Sequence, residues 1–336
     1  MAELPVQAVV FTAPYTVEVR NLPIDAPAHD RLLVNTRVSA ISAGTELLFY
    51  RNQVPPDMPV DSAIAALTGH ARYPLHYGYA CIGEIAAVGP EGDTGMVGRS
   101  VFAFHPHASR FTVAPADVVE LPPEMDAEQA SFLPNMETAV SLLMDAAPLI
   151  GERVLVFGQG VVGLLVTFLL AQMPLSSVVT VEPLAGRRRL SLALGASLSV
   201  QPDALVGLEM DSPDLILELS GNPHALDQAV QAAGYATRIV VGSWYGTKPV
   251  ELTLGGRFHR NRNALISSQV STIPPALTGR WTKRRRLFSA LRSLQMLPYK
   301  ELISHRIPVH HASEAYRLLD QNPDQALQVL LTYRNM

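Results

Sequence analysis

The stretch from Arg153 to Leu165, RVLVFGQGVVGLL, constrains this chain more than any other. A run of β-branched and aromatic residues leads into Gly158-x-Gly160-x-x-Gly163, and an apolar run of helical length follows. A strand, a tight turn and a helix in that order need glycine three times, each for its own reason. The first permits the turn, the second lets a pyrophosphate approach a backbone with no Cβ, and the third lets the helix close on the strand. Phosphates would then rest on the N–H groups at the positive end of the helix, where Val161 and Val162 stand.

The next apolar strand ends at Glu182, nineteen residues beyond Gly163. A carboxylate at that point accepts hydrogen bonds from both adenosine ribose hydroxyls and repels a 2′-phosphate, so NAD(H) is expected ahead of NADP(H). Arg187, Arg188 and Arg189 follow closely, and an arginine can receive a 2′-phosphate, which keeps NADP(H) open. Ser220-Gly221 and Gly242-Ser243 end successive strands, at the carboxyl edge where ligands gather in such sheets. Ser220, Gly242 and Ser243 therefore join Gly158, Gly160, Gly163, Glu182 and Arg187 as candidate cofactor contacts.

Around this motif, strands RVLVFG, SVVTVEP, DLILELSG and ATRIVVGSWYG alternate with helical runs VVGLLVTFLLAQM, RRRLSLALGA and HALDQAVQAA. That alternation predicts βαβ units and a parallel sheet. The preceding part differs. QAVVF, TVEVR, RLLVNTRVSAIS, IGEIAAVG, RSVFAF and RFTVAP are short β-rich runs broken by turn residues, as in a barrel-like unit. Expected boundaries are 1–125 for the strand-rich domain, 126–295 for the dinucleotide-binding domain, and 296–336 for a C-terminal segment.

Bulk properties narrow the partners. A net charge of −4 gives no electrostatic reason for nucleic-acid binding, and KRRR at 283–286 reads as an exposed helix turn. The cations of FHRNRN at 258–263 could meet an acidic substrate group or a cofactor phosphate, or simply face water. The longest apolar stretch, Val161 to Met173, is shorter than the ~20 residues of a membrane span. No signal peptide is evident at the N-terminus, so a soluble, cytoplasmic protein is expected.

A single cysteine excludes an internal disulfide and a four-cysteine zinc knot. Cys81 lies five residues from His76, but a cysteine in an apolar strand is usually a small buried hydrophobe. His70 reads as a loop residue. His105-x-His107 in a strand would point both rings to one face, though no third ligand is evident. No metal site is expected.

Taken in order along the chain, GTE (44–46), GYACIGEIAAVG (78–89), GERVLVFGQGVVG (151–163), LGAS (194–197), DLILELSGNPHAL (214–226) and RIVVGS (238–243) resemble the medium-chain dehydrogenase/reductase superfamily over nearly the whole length. SAISAGTE (39–46) and FHRNRNALISSQVS (258–271) are most similar to its hydroxyethyl-bacteriochlorophyllide dehydrogenases. The resemblance implies a GroES-like β-barrel catalytic domain, a Rossmann cofactor domain, a C-terminal return to the first domain, and a homodimer joined through the cofactor-domain sheet. The apolar run 249–254 is the expected joining strand.

It also implies where zinc would bind. Ala43 stands at the cysteine position, Tyr79 at the histidine and Ala80 at the glutamate, and Leu48 replaces the proton-relay histidine. A zinc-independent dehydrogenase acting on the alcohol or carbonyl of a fairly large, tetrapyrrole-like substrate is therefore expected. Thr45 and Tyr79 are its candidate hydroxyl donors, and Glu46 is a candidate base or the partner of an arginine. An NADPH-dependent quinone or enone reductase, and an idle NAD(P)H-binding redox sensor, are the alternatives.

Overall fold

The computed structural model describes residues 6–61, 63–205 and 211–333. The chain forms two compact units, Met1–Pro134 with Tyr299–Met336, and Asn135–Pro298. The first begins with strands β1 (Val6–Ala13), β2 (Thr16–Leu22) and β3 (Leu32–Ile41) and helix α1 (Ala43–Tyr50). Strands β4 (Leu75–His76), β5 (Cys81–Val88), β6 (Ser100–Ala103), β7 (Arg110–Val113) and β8 (Val118–Glu120) follow, then the short helix α2 (Ala127–Ala130). Alternation on β3 sends Leu32 and Val34 into a core shared with Cys81, Ile85, Val101 and Phe111, as period-2 patterning demands. Leu47 to Tyr50 of α1 are all buried, so this helix is enclosed rather than amphipathic.

The second unit holds α3 (Leu133–Ala146), β9 (Arg153–Phe157), α4 (Val161–Leu170), β10 (Ser177–Val181), α5 (Ala185–Ala193), β11 (Leu198–Val200) and β12 (Leu215–Glu218). It continues through α6 (Pro223–Ala232), β13 (Arg238–Val241), α7 (Arg257–Arg260), β14 (Ala264–Ser267) and α8 (Lys283–Leu294). Its six strands run in the order β11-β10-β9-β12-β13-β14, and each neighbouring pair is parallel. This doubly wound order reverses between β9 and β12, which puts the glycine turn after β9 at the switch point where such sheets bind ligands.

Two expectations change here. Residues 249–254 form no strand. Val250 and Leu252 pack on the core of this unit, and the Thr253 N–H donates to Asp227 Oδ1 of α6 at 2.7 Å. Their alternation records one-sided packing, and the sheet edge is β14 instead. Arg286 is the second case. Lys283 to Arg285 are exposed, but Arg286 is buried. Its guanidinium donates to Glu137 Oε1, Ser141 Oγ and the carbonyls of Thr272 and Val270.

The chain rejoins the first unit as β15 (Ile303–Pro308), α9 (Ala312–Gln321) and β16 (Gln328–Thr332). β16 runs antiparallel to β3, pairing Val329 with Ile41 and Thr332 with Val38. The sheet order is β15-β16-β3-β5-β6-β8, with β7 also on β3, and β2-β1-β4 form a separate sheet. Asp126 and Glu128 tie α2 to the returning chain, accepting from Tyr299 and Arg306 respectively. Among the described residues no helix is long and apolar enough to cross a membrane.

Candidate functional site

In the second unit the three glycines of the turn differ in what surrounds them. Gly158 has φ +86°, and a Cβ there would lie 2.6 Å from Ser220 Cα. At Gly163 a Cβ would fall 2.0 Å from the Gly158 carbonyl oxygen. Gly160 is open, with nothing within 4 Å of the corresponding position. It is also the N-cap of α4 and offers no side chain to satisfy the helix start. The first N–H groups of α4, including those of Val161 and Val162, have no carbonyl partner within the helix. A bare N-terminus beside an open glycine suits a pyrophosphate.

Glu182 lies just after β10 and is buried. Its Oε2 accepts from the Gln159 N–H at 2.7 Å, and its Oε1 from the Leu184 N–H at 3.0 Å, so it is tied directly to the glycine turn. Arg187 is near enough to be stabilised in its charged form by Glu182, although burial moves its pKa down. The Arg188 guanidinium is spent on the carbonyls of Glu182 and Pro183, while Arg189 is exposed. Ser243 Oγ accepts from the Gly221 N–H at 2.8 Å and so joins two of the loops at this edge. Gly242 is a packing position: a Cβ would come within 2.6 Å of Leu142 and Leu219 side-chain carbons.

One neighbouring feature was not legible in the sequence. Glu218, at the end of β12, is wholly buried. It accepts from the N–H and hydroxyl of Ser220 and from the Tyr245 hydroxyl at 2.5 Å. Burial, with the Glu218 carboxylate beside it, raises the pKa of Tyr245 strongly. The FHRNRN cations His259, Arg260 and Arg262 are exposed.

In the first unit, the start of α1 meets the segment before β5. The Tyr79 hydroxyl donates to Ser42 Oγ and lies 3.5 Å from Thr45 Oγ1. All three residues are half-buried. Ser42 is the N-cap of α1, yet its side chain caps nothing. Glu46 fills that place, with its Oε1 accepting from the Ser42 N–H at 2.8 Å. Burial pushes the Tyr79 phenol up to about 12, against the lowering effect of the Ser42 and Thr45 hydroxyls. It is therefore a hydrogen-bond donor at neutral pH.

Glu46 has no exposed surface, and its side-chain partners are not arginine. Oε2 accepts from Tyr316 at 2.5 Å and stands 3.1 Å from His107 Nε2. His107 Nδ1 lies 2.7 Å from Ser39 Oγ, which meets the Tyr333 hydroxyl at 2.8 Å. Dry polar groups thus lie under a half-exposed layer of hydroxyls. Ser42 and Tyr316 are absent from the sequence-based set, and His107 entered it only as half of a His-x-His pair lacking a third ligand. Of the first two, only Ser42 carried a local signal, as a serine at a helix start.

The histidines and cysteine do not converge. Residues 104–107 are not in a strand. The His105 ring stacks on Phe111 with centroids 4.1 Å apart, and burial lowers its pKa to about 4. Cys81 is a free, buried thiol, while His76 and His70 are exposed. Among the described residues, no group of three or more His, Cys, Asp or Glu side chains could hold a metal ion.

No protein-family model matches the chain. Over 343 residues it is 27% identical to 2-desacetyl-2-hydroxyethyl bacteriochlorophyllide A dehydrogenase of Cereibacter sphaeroides, covering 97% of this chain and 98% of that protein. The chain is thus similar over nearly its whole length to members of the medium-chain dehydrogenase/reductase superfamily. It has the two-part architecture of such proteins, GroES-like and Rossmann, and the relatives it matches along its length are named dehydrogenases. An Escherichia coli alcohol dehydrogenase solved with NADH shares the fold at TM-score 0.78 and 18% identity, covering 98% of this chain and 99% of that one. A Sinorhizobium meliloti protein described as a zinc-binding dehydrogenase, bound to NADP, does so at 0.77 and 18%, covering 98% and 100%. In this chain, however, Ala43, Tyr79 and Ala80 stand where the resemblance would place zinc ligands. Alanine offers no donor atom and a protonated tyrosine is a poor one, so these residues do not fit a catalytic zinc.

Proposed function

We propose that this enzyme moves a hydride between NAD(H) and the alcohol or carbonyl carbon of a fairly large substrate, with protein hydroxyls in place of zinc. The observation that carries this reading is the Tyr79–Ser42–Thr45 cluster, which sets a protonated phenol and two hydroxyls at the former ligand position. The nicotinamide supplies or accepts the hydride when bound. Gly158, Gly160, Val161, Val162 and Gly163 are proposed to cradle its pyrophosphate, and Glu182 to hold the adenosine ribose in preference to a 2′-phosphate. Arg187, Ser220, Gly242 and Ser243 are proposed to line the rest of the cofactor path, with Gly242 shaping it by packing.

Tyr79 donates to the substrate oxygen and stabilises the negative charge that develops there, as oxyanion-hole donors do. Its proton can pass to the product alkoxide, and the phenolate left behind can take one from the half-buried Ser42 hydroxyl as that hydroxyl is reprotonated from solvent, while Thr45 offers a second donor. The named activity of the bacteriochlorophyllide dehydrogenase relative supports a hydroxyethyl or acetyl substituent on a large ring as substrate. The strand edge at β14 supports a homodimer, and a single free thiol suits a cytoplasmic protein.

The test is a calorimetric titration of chelator-treated protein with NADH and NADPH, followed by NADH turnover on acetyl-bearing tetrapyrroles. Tighter NADH binding, with turnover that resists the chelator and is lost in Tyr79→Phe, is expected. NADPH preference would shift the 2′-position to Arg187 and favour a quinone or enone reductase. Binding without turnover would favour a redox sensor.

A further inference from the structure

We infer that His107 is a positioning residue for the Tyr79–Ser42–Thr45 cluster, locking together the two chain segments that carry it. This rests on the reading of that cluster given above. Tyr79 comes from the segment before β5, whereas Ser42 and Thr45 come from the start of α1. Their side chains meet only if both segments are held in one register.

His107 touches both. Its backbone N–H donates to the Tyr77 carbonyl at 3.2 Å, and its ring fills the space beside Gly78. A Cβ at Gly78 would fall 2.4 Å from His107 Cδ2, and Gly78 has φ +109°. The residue immediately before Tyr79 is thus shaped to the imidazole face. On its other side the ring reaches Glu46 Oε2 at 3.1 Å. Glu46 Oε1 in turn holds the Ser42 N–H at 2.8 Å, and that serine accepts the Tyr79 proton.

Every polar atom of the joint has a partner. With the imidazole proton on Nε2, His107 donates to Glu46 and accepts at Nδ1 from Ser39, whose oxygen accepts from Tyr333. Tyr316 supplies another donor to Glu46. Both His107 and Glu46 have no exposed surface. A fully satisfied dry network of this kind rigidifies what is attached to it, because breaking any member leaves a buried polar group unpaired. Removing the ring should therefore free the Tyr79 phenol to sample several positions. Displacing a reacting group by an ångström can cost up to ~10²-fold in rate.

The experiment uses the full chain labelled with ¹³Cζ-tyrosine, with the Tyr79 line assigned by its loss in Tyr79→Phe. We expect one narrow Tyr79 line in the unaltered protein and a broadened or split line in His107→Ala. His107→Gln, which returns an N–H donor toward Glu46, should restore a narrow line. NADH affinity, set in the other unit, should stay constant. An unchanged Tyr79 line in His107→Ala, with only a lower denaturant midpoint, would make His107 merely structural and overturn the inference. If His107→Ala does not fold, Ser39→Ala removes only the Nδ1 partner and should broaden the same line less, and no broadening there counts equally against it. Undiminished turnover in Tyr79→Phe would instead refute the proposed role of Tyr79, leaving the line-width result to be judged separately.

Discussion

Substituting the middle glycine of the turn separates cofactor binding from folding. At Gly160 a methyl group meets nothing within 4 Å, and φ −69° is ordinary for any L-residue. Alanine there lowers unfolded-chain entropy, a gain of ~0.4–1 kcal/mol. Against this, alanine is a poorer N-cap than glycine by roughly 0.5–1 kcal/mol. The two nearly cancel, so the urea midpoint of Gly160→Ala should hardly move. Binding should not be spared. If the pyrophosphate lies against this backbone, the methyl overpacks it by ~1–3 kcal/mol, or about 5- to 150-fold in NADH affinity at 1.4 kcal/mol per tenfold. Gly163→Ala is the contrasting case. Its Cβ would sit 2.0 Å from the Gly158 carbonyl oxygen, a backbone atom that cannot swing aside, so this variant should lose ~1–3 kcal/mol of stability or more. Calorimetric Kd values and urea curves on both variants test the pair. Wild-type NADH affinity in a stable Gly160→Ala protein would refute the placement of the pyrophosphate.

Other consequences can be measured with the same protein. Tyr79→Phe should lower kcat by ~10²–10³, the usual cost of losing an oxyanion donor, without changing NADH affinity. Since the phenol titrates at about 12, its donor form persists to that pH, and the pH–rate profile should show no Tyr79 inflection below pH ~10. Arg286→Ala leaves Glu137 buried without its cation and should cost ~3–5 kcal/mol, read as a fall in the urea midpoint. Asp214 is held below the usual carboxylate range by the hydrogen bond from the Arg153 side chain, with the Arg153 backbone N–H adding to it. It thus contributes stability that is present above the ordinary Asp value of ~3.9 and lost as pH falls through the depressed folded value. Acid unfolding of Asp214→Asn should show a shallower slope in that window, and an unaltered slope would show that this pair contributes nothing.

What could be read from the chain alone follows from how far apart the determining groups are. The glycine turn, the α4 start and Glu182 occupy one continuous stretch, and their geometry depends on turn angles and helix ends that neighbouring residues dictate. The parallel sheet follows from the alternation of strands and helices. Errors arose where tertiary partners override a local pattern. Arg286 sits in a run of cations that reads as solvated, and only Glu137, 149 residues away, reveals it as buried. Val250 and Leu252 alternate as a strand would, because packing against a core produces the same period as pairing in a sheet. At the catalytic candidate the distances are longer still. Glu46 joins His107 across 61 residues and Tyr316 across 270. No motif spacing encodes that joint. Gly78 is shaped to that joint, because a Cβ there would fall 2.4 Å from the His107 ring, but a glycine between two tyrosines does not by itself announce it. The residues standing at the expected zinc-ligand positions could be read as Ala43, Tyr79 and Ala80, but the buried joint behind Tyr79 is closed in part by Tyr316 and Tyr333 of the returning chain, through Glu46 and Ser39. A substitution in that return, at Tyr316 or Tyr333, should therefore disturb the hydroxyl cluster indirectly, through Glu46 and through Ser39 and His107.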